Sequence, residues 1–223
     1  MGKFSIAIDG PAGAGKSTVA RALAKRLGYI YVDTGAMYRA MALHFIRSGI
    51  AEDDFAAMEA ACDTAEVTII HTDGEQAVLL NGENVNGFIR TEQVSHMTSV
   101  SSVNKKVRLK MVELQRALAA KENVVMDGRD IGSYVLPDAG IKIFLTASVE
   151  VRAKRRYDEQ RAKGTGCSLA EIEESIRERD YRDSHREFAP LVQEEDAVCV
   201  DTSGLTIEEV TEELYQLYCR VCG

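Results

Sequence analysis

Short apolar runs alternate along the chain with longer segments in which apolar residues recur every three or four positions. Five of these runs have the length of a buried strand, and they begin near residues 4, 29, 123, 141 and 197. Helical periodicity separates them, as in the spacing of Val19, Leu23 and Leu27 after the first run. Short strand–helix units imply parallel strands with right-handed crossovers. The pattern therefore predicts an α/β fold, a five-stranded parallel sheet with helices on both faces.

A different pattern interrupts this alternation between residues 67 and 85. Apolar runs at 67–70 and 77–80 and a short stretch at 83–85 are separated by turn residues at 72–74 and at Asn81-Gly82. Strands joined by such tight turns are antiparallel, so they cannot belong to the parallel sheet. We predict a small antiparallel insertion here, followed by one long helix from Thr91 to Ala120.

Composition limits the function classes. The chain has 223 residues, 28% of them charged, and its formal net charge is −8, which argues against a nucleic-acid partner because such a protein needs a broad basic face. No apolar run is long enough to span a bilayer, and no secretory signal precedes the first strand, so we expect no membrane partner and a cytoplasmic location. The five cysteines are expected to be free thiols, since Cys219 and Cys222 lack the second pair of a zinc site.

The first strand runs into Gly10-Pro11-Ala12-Gly13-Ala14-Gly15-Lys16-Ser17, and a helix begins there. This is the setting of a phosphate-binding loop, in which backbone N–H groups and a helix N-terminus surround a nucleotide's phosphates. Lys16 would reach the outer phosphates and the Ser17 hydroxyl would hold Mg²⁺. We predict a nucleoside-triphosphate site formed by Gly10, Pro11, Ala12, Gly13, Ala14, Gly15, Lys16, Ser17 and Thr18.

A second set of basic residues follows other predicted strands. Arg39 lies one turn beyond Asp33-Thr34-Gly35, and Arg129 lies within 127–130 at a strand end. Ten of the 27 Lys and Arg residues fall between residues 150 and 190, although a charged helix face in solvent explains Lys154, Arg161 and Lys163 equally well. Two phosphate sites at one sheet edge indicate phosphoryl transfer between nucleotides, with a basic segment that closes over them to exclude water.

Several segments are far more specific than the phosphate loop. Together with that loop they resemble bacterial cytidylate kinases in order along the chain from Phe4 to the last helix: Asp33–Arg39, Gly87–Thr91, Asp127–Gly132, Pro137–Ala139, Arg179–Asp183 and Ala189–Leu191. The resemblance implies a P-loop nucleoside monophosphate kinase-like fold with a helical lid. It further implies a core P-loop domain (1–36, 91–148 and 185–223), a monophosphate-binding lobe that carries the antiparallel insertion (37–90) and a lid region (149–184).

The family's activity is implied for this chain as well. A phosphotransferase of pyrimidine nucleotide metabolism would move the γ-phosphate of ATP, with Mg²⁺, to CMP or dCMP, and the family suggests a monomer. Direct phosphoryl transfer needs charge neutralisation, so we expect the catalytic residues to be Lys16, Arg129 and the lid arginines Arg152 and Arg156. Position by position, the resemblance assigns CMP binding to Thr34, Arg39, Ser99, Arg108, Arg129, Asp130, Arg179, Asp183 and Arg186. Thr34 stands where many members have serine, and Ser17 is glycine in some.

The base assignment is consistent with elementary hydrogen-bond chemistry. Ionised Asp130 only accepts, which suits the N4 amino group of cytosine, and Arg108 only donates, which suits N3 and O2. Alternatives remain at this stage: a kinase for UMP, AMP or another small metabolite, a regulatory GTPase switch, or a non-catalytic nucleotide-binding module. The switch would need a guanine-reading Asn-Lys-x-Asp, and residues 104–107 lack the aspartate.

Overall fold

A computed structural model describes residues 3–72, 75–162, 164, 166 and 168–223. Within these residues the strands are β1 Ser5–Asp9, β2 Ile30–Asp33, β3 Val67–Thr72, β4 Glu75–Leu80, β5 Glu83–Asn84, β6 Val124–Asp127, β7 Ile141–Thr146 and β8 Val198–Asp201. The helices are α1 Lys16–Leu27, α2 Thr34–Arg47, α3 Phe55–Cys62, α4 Glu92–Ser101, α5 Lys105–Ala119, α6 Val149–Ala162, α7 Leu169–His185 and α8 Ile207–Cys222. One turn of π-helix, Ile131–Val135, follows β6.

Five strands form the predicted parallel sheet, in the order β2-β6-β1-β7-β8. Alternate residues of β1 explain why helices cover both faces. Ile6 and Ile8 pack with Leu23 of α1 and Leu214 of α8, whereas Ala7 belongs to the opposite cluster with α2 and α5. Both sets are fully buried, so the strand is apolar on each side. The five-stranded sheet with helices on both faces is confirmed.

The antiparallel insertion is also confirmed, as a separate sheet in the order β3-β4-β5. Asn81 and Gly82 connect β4 to β5 with φ angles of 49° and 83°, the left-handed pair that a tight hairpin turn requires. Side chains of this sheet contact the edge strand β2. Gln76 Oε1 accepts a hydrogen bond from the Asp33 N–H at 2.9 Å, and His71 Nε2 lies 2.9 Å from the Tyr31 carbonyl oxygen. The predicted turn at 72–74 includes residues 73 and 74, which lie outside the described part.

The single helix predicted from Thr91 to Ala120 is wrong, because α4 and α5 are separate helices. Asn104 is the N-cap of α5, because its Oδ1 accepts from the N–H groups of Lys106 and Val107 at 2.9 and 3.2 Å. Its amide also donates to Glu59 Oε1 at 2.9 Å. An asparagine at this position caps a helix in preference to continuing one. The side chain of Asn104 therefore has a structural role, which agrees with its lying outside a guanine-reading motif.

Helices α6 and α7 form a hairpin with a small apolar cluster of its own. Ala153 of α6 is buried with Ile172 and Ile176 of α7. A capping box begins α7, in which the side chains of Ser168 and Glu171 each accept from the other's backbone N–H. Residues 163, 165 and 167 of the predicted lid region lie outside the described residues.

Two expectations from composition can be compared with the described part of the chain. Its helices include none that is long and apolar enough to cross a membrane. Four of the five cysteines are free thiols, as predicted, and the fifth, Cys167, lies outside the residues described.

Candidate active site

A cavity of about 840 Å³ opens at the carboxyl ends of the central strands, where ligands bind in open α/β sheets. Basic residues exceed acidic ones in its lining, although the whole chain is acidic. The nine basic lining residues are Lys16, Arg39, Arg108, Arg129, Arg152, Arg155, Arg156, Arg179 and Arg186. The six acidic ones are Asp33, Asp127, Asp130, Glu159, Asp183 and Glu208. A concave site with this surplus favours polyanionic ligands.

The phosphate-binding loop forms one wall of the cavity. Residues 12–18 line it, whereas Gly10 and Pro11 of the same loop do not. At Gly10 a Cβ atom would lie 1.9 Å from the Leu145 carbonyl oxygen, so only glycine lets the loop leave β1 here. Lys16 is buried, and its Nζ donates to the Pro11 carbonyl at 2.7 Å. Burial, followed by the nearby charge of Arg129, lowers the pKa of Lys16 well below its ordinary value.

Asp127, at the end of β6, is a buried carboxylate of the cavity lining for which the sequence predicted no role. Its Oδ2 accepts from Ser17 Oγ and its Oδ1 from the Tyr31 hydroxyl, both at 2.9 Å, and its carbonyl accepts from Thr34 Oγ1 at 2.7 Å. Burial, and then the neighbouring charge of Asp33, raises the pKa of Asp127 to about 6. The strand order could have indicated a role for Asp127. Because β6 lies between β1 and β2, its carboxyl end adjoins both the phosphate loop after β1 and the segment that follows β2.

These oxygen donors fit Mg²⁺. Mg²⁺ takes one or two carboxylates and a hydroxyl from a protein and completes its octahedron with water and substrate phosphates. Ser17 Oγ and the Asp127 carboxylate supply such a pair beside the phosphate loop, with Asp33 paired across the strands from Asp127. No group of three or more His, Cys, Asp or Glu side chains suited to a metal occurs among the residues described.

The cavity lining also contains residues predicted to bind the acceptor nucleotide, Arg39, Arg129, Arg179 and Asp183, which we call the acceptor wall. Arg129 Nε donates to Asp183 Oδ2 at 2.8 Å. Burial alone would raise the pKa of Asp183, but Arg129 and Arg179 hold it below its ordinary value. Burial, and then Arg129, lowers the pKa of Arg179 to about 10. Arg39 lines the same wall, and burial also lowers its pKa.

Asp130 is a buried residue of the cavity lining, and two arginines approach its carboxylate. Arg108 Nη2 donates to Oδ2, and Arg186 Nη2 lies 3.2 Å from Oδ1, close enough for charge attraction but not aligned for a hydrogen bond. Arg108 is 1% exposed and also donates to the Ser102 carbonyl at 3.1 Å. Asp130 and Arg108, whose pairing capacity was predicted to match cytosine, are thus in direct contact.

Three guanidinium nitrogens around this wall are buried without a hydrogen-bond partner among the described residues. They are Arg108 Nε, Arg179 Nε and Arg186 Nη2. A buried donor without an acceptor costs free energy. Each belongs to a residue that lines the cavity, so an anionic or acceptor-rich ligand there could satisfy them.

The two predicted lid arginines occupy different environments. Arg152 is buried beneath the phosphate loop, donating to the carbonyls of Ala147 at 2.8 Å and Ala12 at 3.0 Å, and it pairs with Asp180 at 2.7 Å. Arg156 lines the cavity and forms no ion pair or hydrogen bond with the described residues.

Of the predicted CMP-binding residues, only Ser99 is absent from the cavity lining. Its Oγ accepts from Arg182 Nη1 at the rim. Ser95, Thr98 and Ser102 of the same region do line the cavity. Arg182 and Arg155 carried no predicted role; Arg155 Nη2 donates to the Thr202 carbonyl at 2.6 Å.

Comparison with known proteins extends the resemblance to nearly the whole chain. The family model described as cytidylate kinase matches residues 6–220. A cytidylate kinase from Caldicellulosiruptor saccharolyticus is 48% identical over 223 residues, which cover 100% of this chain and 99% of that protein. A cytidylate kinase from Ligilactobacillus salivarius is 49% identical over 215 residues, with 96% of each chain covered.

Among solved structures, a shikimate kinase from Bacteroides thetaiotaomicron superimposes with a TM-score of 0.51 at 15% identity, covering 96% of this chain and 98% of that one. At this identity the likeness concerns the fold alone. It agrees with the observed parallel sheet flanked by helices.

Proposed function

The chain belongs to the cytidylate kinase family, and on that basis we propose that it transfers the γ-phosphate of ATP to CMP or dCMP, giving ADP and CDP or dCDP. One structural observation supports this function independently of family membership. The three unsatisfied guanidinium nitrogens belong to residues assigned to the acceptor nucleotide. A pyrimidine with acceptors at N3 and O2 and a dianionic phosphate would provide partners for such donors.

The two substrates would occupy opposite walls of the cavity. Residues 12–18 would receive the phosphates of ATP, with Lys16 at the outermost groups. The acceptor phosphate would lie against Arg39, Arg129 and Arg186, its sugar against Arg179 and Asp183, and its base against Asp130 and Arg108 in the roles that the family resemblance assigns.

Direct transfer between two phosphates requires mainly alignment and charge neutralisation. Lys16 and Arg129 would neutralise charge from the donor and acceptor sides, and burial strengthens their attraction for a phosphate. Ser17 and Asp127 would hold Mg²⁺, which would offset further charge on the ATP phosphates. The remaining requirement is exclusion of water, which would otherwise accept the phosphate.

We propose the α6–α7 hairpin, within the lid region 149–184, as the element that excludes water. It carries Arg156 and Arg179 and packs through its own apolar cluster, so it can move as a unit. The segment 37–90 would be the monophosphate-binding lobe, and residues 1–36, 91–148 and 185–223 the core. We further propose that the protein acts as a monomer in the cytoplasm, where both nucleotides are available.

An acceptor panel tests the function. ADP release would be measured with CMP, dCMP, UMP, AMP and non-nucleotide alcohols, each with ATP and Mg²⁺. CMP or dCMP should give the highest kcat/KM. Lys16→Met, which removes the phosphate-binding ammonium, is the control for contaminating kinases and should abolish turnover. A higher kcat/KM for UMP or for a non-nucleotide would contradict the proposed substrate.

A further inference from the structure

Asp9 is a buried carboxylate with no assigned role, and it connects the end of β1 to the turn that follows Asp130. It is the last residue of β1, directly before the phosphate loop, and is 6% exposed. Its Oδ1 accepts from the Ile131 N–H at 2.9 Å, and its Oδ2 accepts from the Gly132 N–H at 2.7 Å. Both oxygens therefore hold consecutive backbone groups of a segment more than a hundred residues away.

These two N–H groups begin the single π-helical turn at Ile131–Val135. The first N–H groups of a helix lack partners within the helix, and the preceding side chain usually accepts from them. Here the preceding residue is Asp130, and its side chain makes no such bond. Asp9 supplies the acceptors in its place.

Because Asp9 accepts from these N–H groups, the Asp130 carboxylate is free to face the cavity. It meets Arg108 and Arg186 there instead of bonding its own turn. Without Asp9, the Asp130 carboxylate, which is in the capping position, would be placed to accept from the Gly132 N–H. Turning toward that N–H would withdraw Asp130 from Arg108.

The approach of the turn to Asp9 is close. A Cβ atom on Gly132 would lie 3.5 Å from Asp9 Oδ2 and 3.2 Å from Lys142 Cδ. The arrangement is also costly, since burial raises the pKa of Asp9 to about 6 despite the two backbone hydrogen bonds. A neutral residue would avoid that cost, so stability alone does not account for a carboxylate here.

We infer that Asp9 is a positioning residue for recognition of the acceptor base. By bonding the Ile131 and Gly132 N–H groups, it keeps the Asp130 carboxylate turned toward the base, and so toward an amino group at the position of cytosine N4. The inference rests on the proposed function, because it concerns how that acceptor is selected.

The test compares acceptors in one protein and then across variants. Asp9→Asn replaces one acceptor oxygen with an NH₂ group that cannot accept from a backbone N–H. Asp9→Glu keeps the charge but displaces it by one methylene. Asp54→Asn is the matched control, because Asp54 also accepts from one backbone N–H, that of Ala57 at 2.9 Å, and lies outside the cavity lining. The readouts are kcat/KM for CMP and for UMP, KM for ATP, and the melting temperature.

We expect the ratio of kcat/KM for CMP to that for UMP to fall about tenfold in Asp9→Asn and Asp9→Glu, with KM for ATP within about threefold of wild type. Asp54→Asn should keep the wild-type ratio. General destabilisation would lower both kcat/KM values together and leave the ratio unchanged. An unchanged ratio in whichever Asp9 variant folds overturns the inference. If the wild-type protein itself fails to prefer CMP, the proposed function fails instead.

Discussion

Arg129 and Asp183 form an ion pair that joins the carboxyl end of β6 to α7. Arg129 Nε donates to Asp183 Oδ2 at 2.8 Å, and both side chains are largely buried. The pair connects the sheet edge to the proposed lid hairpin. Arg129 is oriented by Asp183 as well as by its own strand end, where its Nη1 also donates to the Gly128 carbonyl at 3.1 Å.

Arg129→Ala should lower kcat/KM for CMP by at least about tenfold, because it removes a charge from the acceptor wall and leaves Asp183 buried without its partner. The Kd for ATP should stay within about threefold of wild type, since the phosphate loop is untouched. Isothermal titration and steady-state kinetics measure the two effects. Arg26→Ala, which breaks an exposed ion pair with Glu212, is the control. Wild-type turnover in Arg129→Ala would remove the role assigned to this residue.

Arg152 and Arg156 should respond differently to alanine substitution. Arg152→Ala removes a buried cation that bonds two carbonyl groups and pairs with Asp180, so we expect a loss of about 3 kcal/mol in unfolding free energy. Arg156→Ala should leave the melting temperature nearly unchanged and lower kcat by about tenfold. Urea unfolding and kinetics on both variants test this contrast. Equal stability losses would contradict it.

Asp127→Asn should lower the activity of the protein without lowering its stability. Asparagine can still accept from the Tyr31 hydroxyl and can donate to Ser17, while the cost of a buried charge beside Asp33 disappears. We expect an unchanged or higher melting temperature at neutral pH and a loss of at least about a hundredfold in kcat.

Mg²⁺ provides the second measurement for this variant. Chelation with EDTA should abolish wild-type turnover, and added Mg²⁺ should raise the melting temperature of the wild-type protein with ATP more than that of Asp127→Asn. A variant with a lower melting temperature and normal Mg²⁺ dependence would show that Asp127 is a structural residue.

Asp130→Asn should weaken discrimination between pyrimidines. The amide NH₂ can donate to the O4 of uracil, whereas the wild-type carboxylate can only repel it. We expect the ratio of kcat/KM for CMP to that for UMP to fall about tenfold. Because Arg108 then loses a charged partner in a buried site, the ratio is the decisive quantity and the absolute rate is not. The same ratio as wild type would argue against contact between Asp130 and the base.

Asp9 should also make stability depend on pH. Its folded pKa of about 6 lies above the ordinary 3.8, so the folded state binds more protons than the unfolded state between these values. Its contribution to stability therefore falls as the pH rises from about 4 to about 6. Asp130 and Lys16 are the charged neighbours that act on it.

Removing this carboxylate gives the comparison. The unfolding free energy of wild type minus that of Asp9→Asn should be larger at pH 5 than at pH 8, by about 1 kcal/mol or more. Urea titrations of both proteins at the two pH values measure it. A difference that does not change with pH would mean that Asp9 has an ordinary pKa.

The sequence was most informative where local chemistry decides the structure. The parallel strands and the Asn81-Gly82 hairpin both depend on short-range patterns, and both were predicted correctly. The break before α5 was missed because Asn104 lies within a helical periodicity, and only its bonds to Lys106, Val107 and Glu59 show that it begins a new helix.

The site was predictable as a set of strand-end residues but not as a set of contacts. Bonds such as Asp9 to Ile131 and Ser17 to Asp127 join residues more than a hundred positions apart, and no local pattern specifies them. Arg152 illustrates the same limit, because no local pattern shows that this predicted lid arginine is buried and pairs with Asp180. Which charges pair within the cavity is decided by the fold.

The contacts of Gln76 and His71 with strand β2 give the antiparallel insertion a further consequence. β2 is an edge strand of the main sheet, and unpaired edges can recruit strands from other molecules. Polar side chains from the inserted sheet engage the Asp33 N–H and the Tyr31 carbonyl, which would otherwise be open to such pairing. The insertion thus occupies hydrogen-bonding groups on the outer edge of the main sheet, and a shortened chain without it would leave that edge open to pairing beside the cavity.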